Sequence, residues 1–317
     1  MNNVPVISRT VRRAGKRLKE IVPDQLVEQI QMYLQDFVKR PPILVYQMGK
    51  VGSMSIYEAL QRARLRNPVY HVHFLSPIHL EQEIQRFAVV RKETAVDPKA
   101  LHHLHTGRLL HEKLRRKPDV PLYIVTGVRE PVSWALSRFF QHVHYFCPEL
   151  LDEDGTAREQ ETLEYLQGMF ARLGDKRNPA TDWFDVELAS KWFDVEFKDT
   201  LGIDVYQKPF DREKGYSILE SGRQHVLILR QEDLRKTLPG VLRGFLPTDQ
   251  PIEIKEANVG SKRMHGHAYS FVKNHLSISP EICERLYSTK YVRHFYDDEE
   301  IAGFVGKWRD RAVEVAV

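Results

Sequence analysis

The segment from Ile43 to Ile56 constrains the fold more than any other part of the chain. It begins with a short apolar run, Ile43 to Tyr46, and passes through a loop of small residues into a helical pattern. The loop contains Gly49, Lys50, Gly52, Ser53 and Ser55. Glycines let the backbone approach an anion closely, and the N–H groups and dipole of a helix N-terminus favour negative charge. The segment therefore predicts a buried strand followed by a phosphate-binding loop.

The order of residues in this loop differs from the Walker A motif, in which a lysine follows the second glycine. Here Lys50 precedes Gly52, and the order Lys-Val-Gly-Ser-x-Ser resembles the 5′-phosphosulfate loop of sulfotransferases that use 3′-phosphoadenosine 5′-phosphosulfate (PAPS). The resemblance implies that Lys50 is catalytic and stabilises the bridging oxygen of the leaving group. It also implies a binding site for the 5′-phosphate made of Lys50, Val51, Gly52, Ser53, Met54 and Ser55. An ordinary glycine-containing connection between strand and helix is the alternative.

A second segment has the same strand-to-helix form. The apolar run Tyr123 to Val128 is followed by Arg129, and Pro131 suits the first turn of a helix because its missing N–H costs nothing there. Ligands of open α/β sheets bind at the carboxyl ends of the strands, so both segments should face one crevice. The segment resembles the 3′-phosphate site of the same sulfotransferases, which implies that Arg129 and Ser137 bind the 3′-phosphate. One departure is Trp134, where many relatives carry a basic residue. A surface arginine and a serine packed on a helix are the alternative.

The remaining pattern predicts a parallel α/β sheet, because strands alternate with helices through short connections. Strands are expected at 43–46, 69–75, 123–128 and 225–230, and helices at 53–65, 80–87 and 101–117. Residues 215–219 are expected to pair with the last strand as a hairpin. Glu232 and Asp233 are interpreted as structural residues at a helix N-terminus. The resemblance implies a three-layer, P-loop-like sulfotransferase fold with a helical insert.

Candidates for the general base come from the second strand. His71 and His73 lie on one face of it, and His73 is nearer the carboxyl end, where the crevice should be. An ordinary histidine titrates near pH 6.5 and can accept a proton at neutral pH. A hydrogen-bonded core histidine is the alternative, and Glu58 or Asp185 could serve as the base instead.

The other histidines do not complete a metal site. His102, His105 and His111 share a predicted helix, but no cysteine or carboxylate pattern adds the ligands that zinc needs. We therefore expect a solvated helix face. The resemblance likewise implies no metal.

The chain is expected to divide into a basic arm with an amphipathic helix (1–40) and a single sulfotransferase-like domain (41–317). Within the domain, residues 148–220 form a largely helical insert that could lie on the acceptor side. This insert contains the sequence Trp-Phe-Asp-Val-Glu twice, at 183–187 and 192–196, which favours core aromatics over a sugar-stacking platform. The arm could make weak peripheral contact with acidic membranes. Late in the chain, the resemblance suggests Lys262 and Arg263 as further donor-binding residues.

Bulk properties limit the class of protein. A net charge of +4, a pI near 8.9 and a mean hydropathy of −0.44 are typical of a water-soluble protein and are compatible with an anionic ligand. No apolar stretch is long enough for a transmembrane helix, and the N-terminus lacks the apolar core of a secretory signal. With Cys147 and Cys283 as its two cysteines, the chain is expected to be cytoplasmic.

These observations lead to one functional hypothesis and two alternatives. The chain resembles PAPS-dependent sulfotransferases over about residues 43–300, and within them bacterial proteins named for capsular polysaccharide synthesis. That likeness implies transfer of a sulfuryl group to a hydroxyl or amine of a saccharide, with adenosine 3′,5′-bisphosphate as product and no nucleic-acid partner. The alternatives are an ATP-dependent, kinase-like phosphotransferase and a non-catalytic protein that binds nucleotides or polyanions.

Overall fold

The computed structural model describes residues 30, 32–63, 65–91, 98–174, 184–246, 248, 250, 252 and 264–309. Its core is a five-stranded sheet with strand order β2-β1-β3-β5-β4. The strands are β1 (Ile43–Tyr46), β2 (Val69–Val72), β3 (Leu122–Val128), β4 (Tyr216–Ser221) and β5 (Gln224–Arg230). The first four strands in this order are parallel, and β4 pairs with β5 in the antiparallel sense.

Helices connect and cover the strands. In chain order they are α1 (Ser53–Arg62), α2 (Pro77–Arg91), α3 (Pro98–Arg116), α4 (Pro131–Phe146), α5 (Glu159–Ala171), α6 (Leu188–Phe193), α7 (Leu234–Phe245), α8 (Gly266–His275), α9 (Pro280–Tyr287), α10 (Lys290–Phe295) and α11 (Asp298–Trp308). None of the described helices is both long and apolar enough to cross a lipid bilayer.

Both faces of the sheet are buried, which is why its central strands are apolar throughout. Ile43 and Val45 of β1 pack on one face against α1 and α7, whereas Leu44 and Tyr46 belong to the larger cluster on the other face. This alternation follows from the two-residue period of a strand. The prediction of a mostly parallel α/β sheet flanked by helices is confirmed.

The predicted strands β1, β3 and β5 agree with the structure to within one residue, and other predicted elements differ in length. The hairpin exists, as β4 and β5 joined at residues 222–223. Helices α2 and α3 begin earlier than expected, at Pro77 and Pro98, because proline is well tolerated at the first helical position. Strand β2 ends at Val72, three residues early. The reason is that the amides of Leu75 and Ser76 donate to a buried carboxylate, that of Glu196 (2.8 and 2.9 Å), instead of to a neighbouring strand.

The insert at 148–220 contains the buried carboxylate of Glu196. Its described residues include α5, α6, a π-helical segment at Asp194–Asp199 and most of strand β4, so the insert is largely but not wholly helical. In the second Trp-Phe-Asp-Val-Glu copy, Trp192 is fully buried beside Tyr46. Glu196 is fully buried as well, and it accepts from the Tyr46 hydroxyl and pairs with His79 at 2.5 Å. This copy therefore anchors the core, while Trp183 of the first copy lies outside the described residues.

The strand order creates a crevice at one edge of the sheet. From β1 the chain moves to β2 on one side, and it then crosses to β3 on the other side of β1. Connections that diverge in this way leave a gap above the carboxyl ends of the two central strands, where ligands of α/β proteins bind. The loops that follow β1 and β3 are the ones predicted to bind phosphate.

Of the N-terminal arm, the basic cluster at 11–19 lies outside the described residues. Near its end Met32 and Phe37 are buried, whereas Tyr33 and Leu34 are exposed. Phe37 packs edge-on against Tyr70 of β2, so this part of the arm is attached to the sheet.

Candidate active site

The loop after β1 has a backbone suited to surrounding an anion. Gly49, Lys50 and Gly52 have φ angles of +76°, +56° and +90°. Among the described residues, Lys50 is the one non-glycine residue with a positive φ. Backbone strain of this kind in a residue other than glycine persists where the surrounding structure imposes it. It concentrates at functional sites. At Gly52 the positive φ favours glycine, and an added Cβ atom would lie 2.3 Å from Cδ2 of Leu234 and displace that side chain.

Helix α1 starts immediately after this loop with its first amides uncapped. Gly52 is the N-cap residue, and it has no side chain that could accept a hydrogen bond from the first turn. The N–H groups of Ser53, Met54 and Ser55 therefore point out of the helix end together with its positive dipole. Ser53 is buried, Ser55 is half-buried and Met54 is exposed. This geometry would suit a phosphate group.

Arg129 joins the second predicted segment to the first. Its Nη1 donates to the backbone carbonyl of Lys50 at 3.0 Å, which places the guanidinium at the phosphate loop. Its Nε is buried and has no hydrogen-bond partner among the described residues. A buried donor without a partner is costly, and a phosphate oxygen would satisfy it.

Three tyrosines from the C-terminal helices hold the turn that carries Arg129. The Tyr291 hydroxyl accepts from the backbone N–H of Arg129 at 2.9 Å and donates to its carbonyl at 2.8 Å. Tyr287 donates to the Glu130 carboxylate, which caps α4 by accepting from the amides of residues 132 and 133. Tyr296 donates to Glu232, which also accepts from the Glu130 amide. These bonds fix the backbone from which the Arg129 side chain extends.

Glu232 and Asp233 make structural contacts, but Asp233 does not cap helix α7 as the sequence predicts. Glu232 supports the Arg129 turn, and burial raises the pKa of its carboxyl group. Asp233 occupies the N-cap position of α7 without capping it. Its carboxylate pairs instead with Arg230 at 2.5 Å.

Helix α4 contacts the loop through Trp134. This residue is fully buried, and its indole Nε1 donates to the carbonyl of Gly49 at 3.2 Å. Trp134 therefore supports the loop through this hydrogen bond. Ser137 lies half-buried in the same helix, eight residues after Arg129, and its contact with a 3′-phosphate stays a prediction.

Three histidine rings pack together beside the loop. The ring centroids of His71, His73 and His103 lie 4.8 to 5.2 Å apart. Nδ1 of His73 is 2.8 Å from the carbonyl of Gln47, and Nδ1 of His103 is 3.1 Å from that of His71. Because a carbonyl can only accept, both rings carry the proton on Nδ1, which leaves Nε2 as the basic atom.

His71 and His73 are neutral at physiological pH. Burial, then the neighbouring His73 and His103, lower the pKa of His71 to about 2. Burial and His103, followed by the charges of Arg138 and Lys50, lower the pKa of His73 to about 3. A base with so low a pKa binds a proton weakly until negative charge arrives nearby. An anionic ligand at Lys50 would supply that charge and raise the pKa of His73.

Sequence reasoning missed a group of charged residues one helical turn from Trp134. Arg138 is buried, its guanidinium lies 5.4 Å from the Trp134 ring, and Nη2 donates to Glu83 at 3.1 Å. His142 follows one turn later, and burial, then Arg138 and Lys50, lower its pKa to about 3. The spacing of four between Trp134, Arg138 and His142 was the available signal, since such residues share a helix face.

The remaining candidate residues are Glu58, Asp185, Lys262 and Arg263. Glu58 pairs with Arg62 along α1 at 3.6 Å and is partly exposed. Asp185 accepts from the Glu187 amide, and its charge acts on Arg138, whose pKa burial lowers, so Asp185 lies near the crevice. Lys262 and Arg263 lie outside the described residues. Within the described part of the chain, no group of three or more histidine, cysteine or acidic side chains is arranged to hold a metal ion.

The low pKa of His71 predicts that acid destabilises the protein. An unfolded histidine protonates near pH 6.5 but the folded one does not, so the free energy of unfolding falls as pH falls below that value. For His71 the loss at pH 5 is about 2 kcal/mol. Urea unfolding of the wild type and of His71→Phe at pH 7.5 and 5.0 measures it. The variant should lose about 2 kcal/mol less than the wild type between the two pH values. Equal losses would contradict this account of His71.

Comparison with known proteins links part of the chain to a family. Residues 160–297 match the NKWYS family, described as "putative capsular polysaccharide synthesis protein". The matched stretch is less than half of the 317 residues, and it contains neither the Lys50 loop nor Arg129. It does contain the tyrosines at 287, 291 and 296 that hold the Arg129 turn. No curated protein and no solved structure matches the chain significantly.

Proposed function

We propose that this protein is a sulfotransferase of the P-loop-like fold that moves the sulfuryl group of PAPS to a hydroxyl or amine of a saccharide. The observation that carries the proposal is the hydrogen bond between Arg129 and the carbonyl of Lys50. Two segments separated by about eighty residues meet at the carboxyl ends of the adjacent parallel strands β1 and β3. One resembles the 5′-phosphate site of PAPS-dependent sulfotransferases, and the other resembles their 3′-phosphate site. PAPS carries a phosphate at each end of its ribose, and two adjacent anion sites match that spacing of charge.

The residues at the loop suit the donor's 5′ end. The amides of residues 51–55 and the dipole of α1 would bind the 5′-phosphate. Lys50 would lie against the oxygen that bridges phosphorus and sulfur. Arg129, with its buried Nε, and Ser137 would bind the 3′-phosphate. Arginine is well suited to this task because its planar donors match phosphate oxygens.

The reaction requires three coordinated changes. The acceptor oxygen or nitrogen forms a bond to sulfur, and the bond between sulfur and the bridging oxygen breaks. The proton of the acceptor passes to Nε2 of His73, and adenosine 3′,5′-bisphosphate leaves with the added negative charge on its 5′-phosphate. Lys50 and the α1 amides stabilise that charge, which is how cations and positioned donors accelerate the analogous phosphoryl transfers. The negative donor raises the pKa of His73 toward the range where it is an effective base.

The saccharide acceptor is supported by the family comparison. The family that residues 160–297 match is described by capsular polysaccharide synthesis. These residues include most of the insert, from residue 160 onward, beside the crevice where an acceptor would approach the histidines. A hydroxyl or amine on a sugar is therefore the first acceptor to test.

The direct test is transfer of label from [³⁵S]PAPS to a mixed bacterial glycan pool in the presence of EDTA. Labelled glycan supports the proposal. Transfer of phosphate from ATP that requires magnesium would instead indicate the kinase-like alternative. Tight binding of adenosine 3′,5′-bisphosphate without transfer to any pool would indicate a non-catalytic binding protein.

A further inference from the structure

Glu232 lies in an open recess at the same edge of the sheet as the two predicted phosphate sites. It follows strand β5 and is exposed to solvent, whereas Lys50 and Arg129 are half-buried. The surrounding protein nevertheless desolvates the carboxyl group of Glu232, and this desolvation raises its pKa. A side chain that is open to solvent while protein surrounds it lies in a recess. A ligand can therefore reach this carboxylate.

The turn that carries Glu232 contacts both predicted phosphate-binding segments. Oε1 of Glu232 accepts from the amide of Glu130, the residue after Arg129, at 3.0 Å. Two residues later, Leu234 lies so close to the phosphate loop that an added Cβ atom at Gly52 would be 2.3 Å from it. Strands β1, β3 and β5 are parallel neighbours, and such strands lie about 4.8 Å apart. The loop, the arginine and the carboxylate thus follow one another along a single edge.

The Glu232 carboxylate retains unused acceptor capacity. Its Oε1 accepts from the Glu130 amide, and its Oε2 accepts from the Tyr296 hydroxyl at 3.2 Å. An ionised carboxylate has about four acceptor positions, so about half of them stay open. The charge of Arg129 acts on Glu232, yet within the described residues the two side chains form no ion pair. A ligand that carries a phosphate group next to a hydroxyl matches this separated pair of cation and acceptor.

We propose that Glu232 accepts a hydrogen bond from the ribose 2′-hydroxyl of the donor and so selects a 3′-phosphate over a 2′-phosphate. The inference rests on the proposed sulfotransferase function and assigns a specificity-determining residue to its donor site. With the 3′-phosphate on Arg129, the 2′-hydroxyl is the donor on the adjacent ribose carbon. Carboxylates bind ribose hydroxyls in this way in dinucleotide-binding folds, where an arginine instead accommodates a 2′-phosphate.

Charge explains the selectivity. Arg129 offsets the charge of a 3′-phosphate, which a carboxylate alone would repel. A phosphate at the 2′ position would instead place its charge directly against Glu232 and would remove the hydroxyl that the carboxylate binds. Both changes disfavour the 2′-phosphate.

The test compares three nucleotides by calorimetry on the full chain at pH 7.5. These are adenosine 3′,5′-bisphosphate, its 2′-deoxy form and adenosine 2′,5′-bisphosphate. The wild type should bind the first about tenfold more tightly than the 2′-deoxy form, because a hydrogen bond to a charged group is lost. The 2′,5′-bisphosphate should bind about 100-fold more weakly, because its phosphate also meets the carboxylate.

Two variants separate ligand binding from structural support. Glu232→Gln should reduce the 2′-deoxy penalty to about threefold, because a neutral amide forms a weaker hydrogen bond. It should bind the 2′,5′-bisphosphate about tenfold more tightly than the wild type does, since the repelling charge is gone. Glu213→Gln removes an equal charge from an exposed turn before β4 and should leave all three affinities unchanged. Circular dichroism checks that each variant is folded.

The outcomes distinguish this inference from the proposed function. Equal binding of the 3′,5′-bisphosphate and its 2′-deoxy form to the wild type overturns the assignment, and this result needs no variant. A 2′-deoxy penalty that Glu232→Gln leaves unchanged also overturns it. Uniform weakening of all three nucleotides in Glu232→Gln would restrict the residue to supporting the Arg129 turn, against the inference. Failure of the wild type to bind the 3′,5′-bisphosphate would overturn the sulfotransferase proposal and this inference together.

Discussion

Replacing Lys50 with methionine should lower kcat for sulfuryl transfer by about 100- to 1,000-fold. Methionine keeps much of the side-chain length but cannot stabilise the charge that develops on the leaving phosphate. Affinity for adenosine 3′,5′-bisphosphate should fall much less, by about tenfold, because the amides at the start of α1 remain in place. The separation of these effects is expected of a group whose contribution grows in the transition state.

Steady-state rates with [³⁵S]PAPS and calorimetry with the bisphosphate measure the two effects. Lys39→Met is a suitable control because Lys39 is 83% exposed and pairs with Asp36, away from the loop. The control should match the wild type in both measurements. A kcat for Lys50→Met within threefold of the wild type would remove Lys50 from the chemistry.

Replacing Glu196 with glutamine should lower the free energy of unfolding by about 3 kcal/mol. The carboxylate is fully buried and accepts from Tyr46, from two backbone amides and from His79. An amide group of the same shape has one acceptor oxygen and an NH₂ that faces donors. Several of these donors would then be buried without partners, and the connection between the insert and the ends of β1 and β2 would weaken.

The first copy of the repeated sequence provides the matched control. Glu187 holds the same place in Trp-Phe-Asp-Val-Glu, but its partners are the partly exposed Lys191 and Arg285 at 3.0 and 2.8 Å. Surface ion pairs contribute little, so Glu187→Gln should cost about 1 kcal/mol or less. Urea unfolding of both variants makes the comparison. Similar losses in the two would contradict the assigned role of Glu196.

The elements that position the site follow from local sequence patterns. The run from Ile43 to Tyr46 alternates between two buried faces, and the glycines after it allow the left-handed backbone that the loop needs. Pro131 begins α4 in the same way that the sequence suggests. Both signals act over a few residues, which is why the order of strand, loop and helix could be predicted.

The supporting contacts could not be predicted because they join residues far apart in the chain. The bond from Tyr291 to Arg129 spans 162 positions, and the bond from Tyr46 to Glu196 spans 150. No local pattern indicates such partners. The predicted strand 69–75 is longer than the observed β2 for the same reason. The distant carboxylate of Glu196 binds the amides that would have continued the strand.

The repeated sequence shows the limit of pattern reasoning clearly. Its two copies are identical, yet Glu196 is buried in a hydrogen-bond network and Glu187 lies near the surface. Likewise, Arg138 is an unremarkable helical arginine in the sequence, and only the packing of α2 against α4 brings Glu83 and Arg86 to it. Identity and spacing set what a residue can do, and the fold sets its surroundings.

The central claim is that Arg129 and the Lys50 loop bind opposite ends of one nucleotide. Calorimetry with adenosine 3′,5′-bisphosphate and adenosine 5′-monophosphate, on the wild type and on Arg129→Gln, tests it in one experiment. The wild type should bind the bisphosphate at least about tenfold more tightly, and Arg129→Gln should lose that advantage while keeping its affinity for the monophosphate. Arg66→Gln, at an exposed position, should behave as the wild type. Equal affinity of the wild type for the two nucleotides, or an advantage that persists without Arg129, would contradict the account.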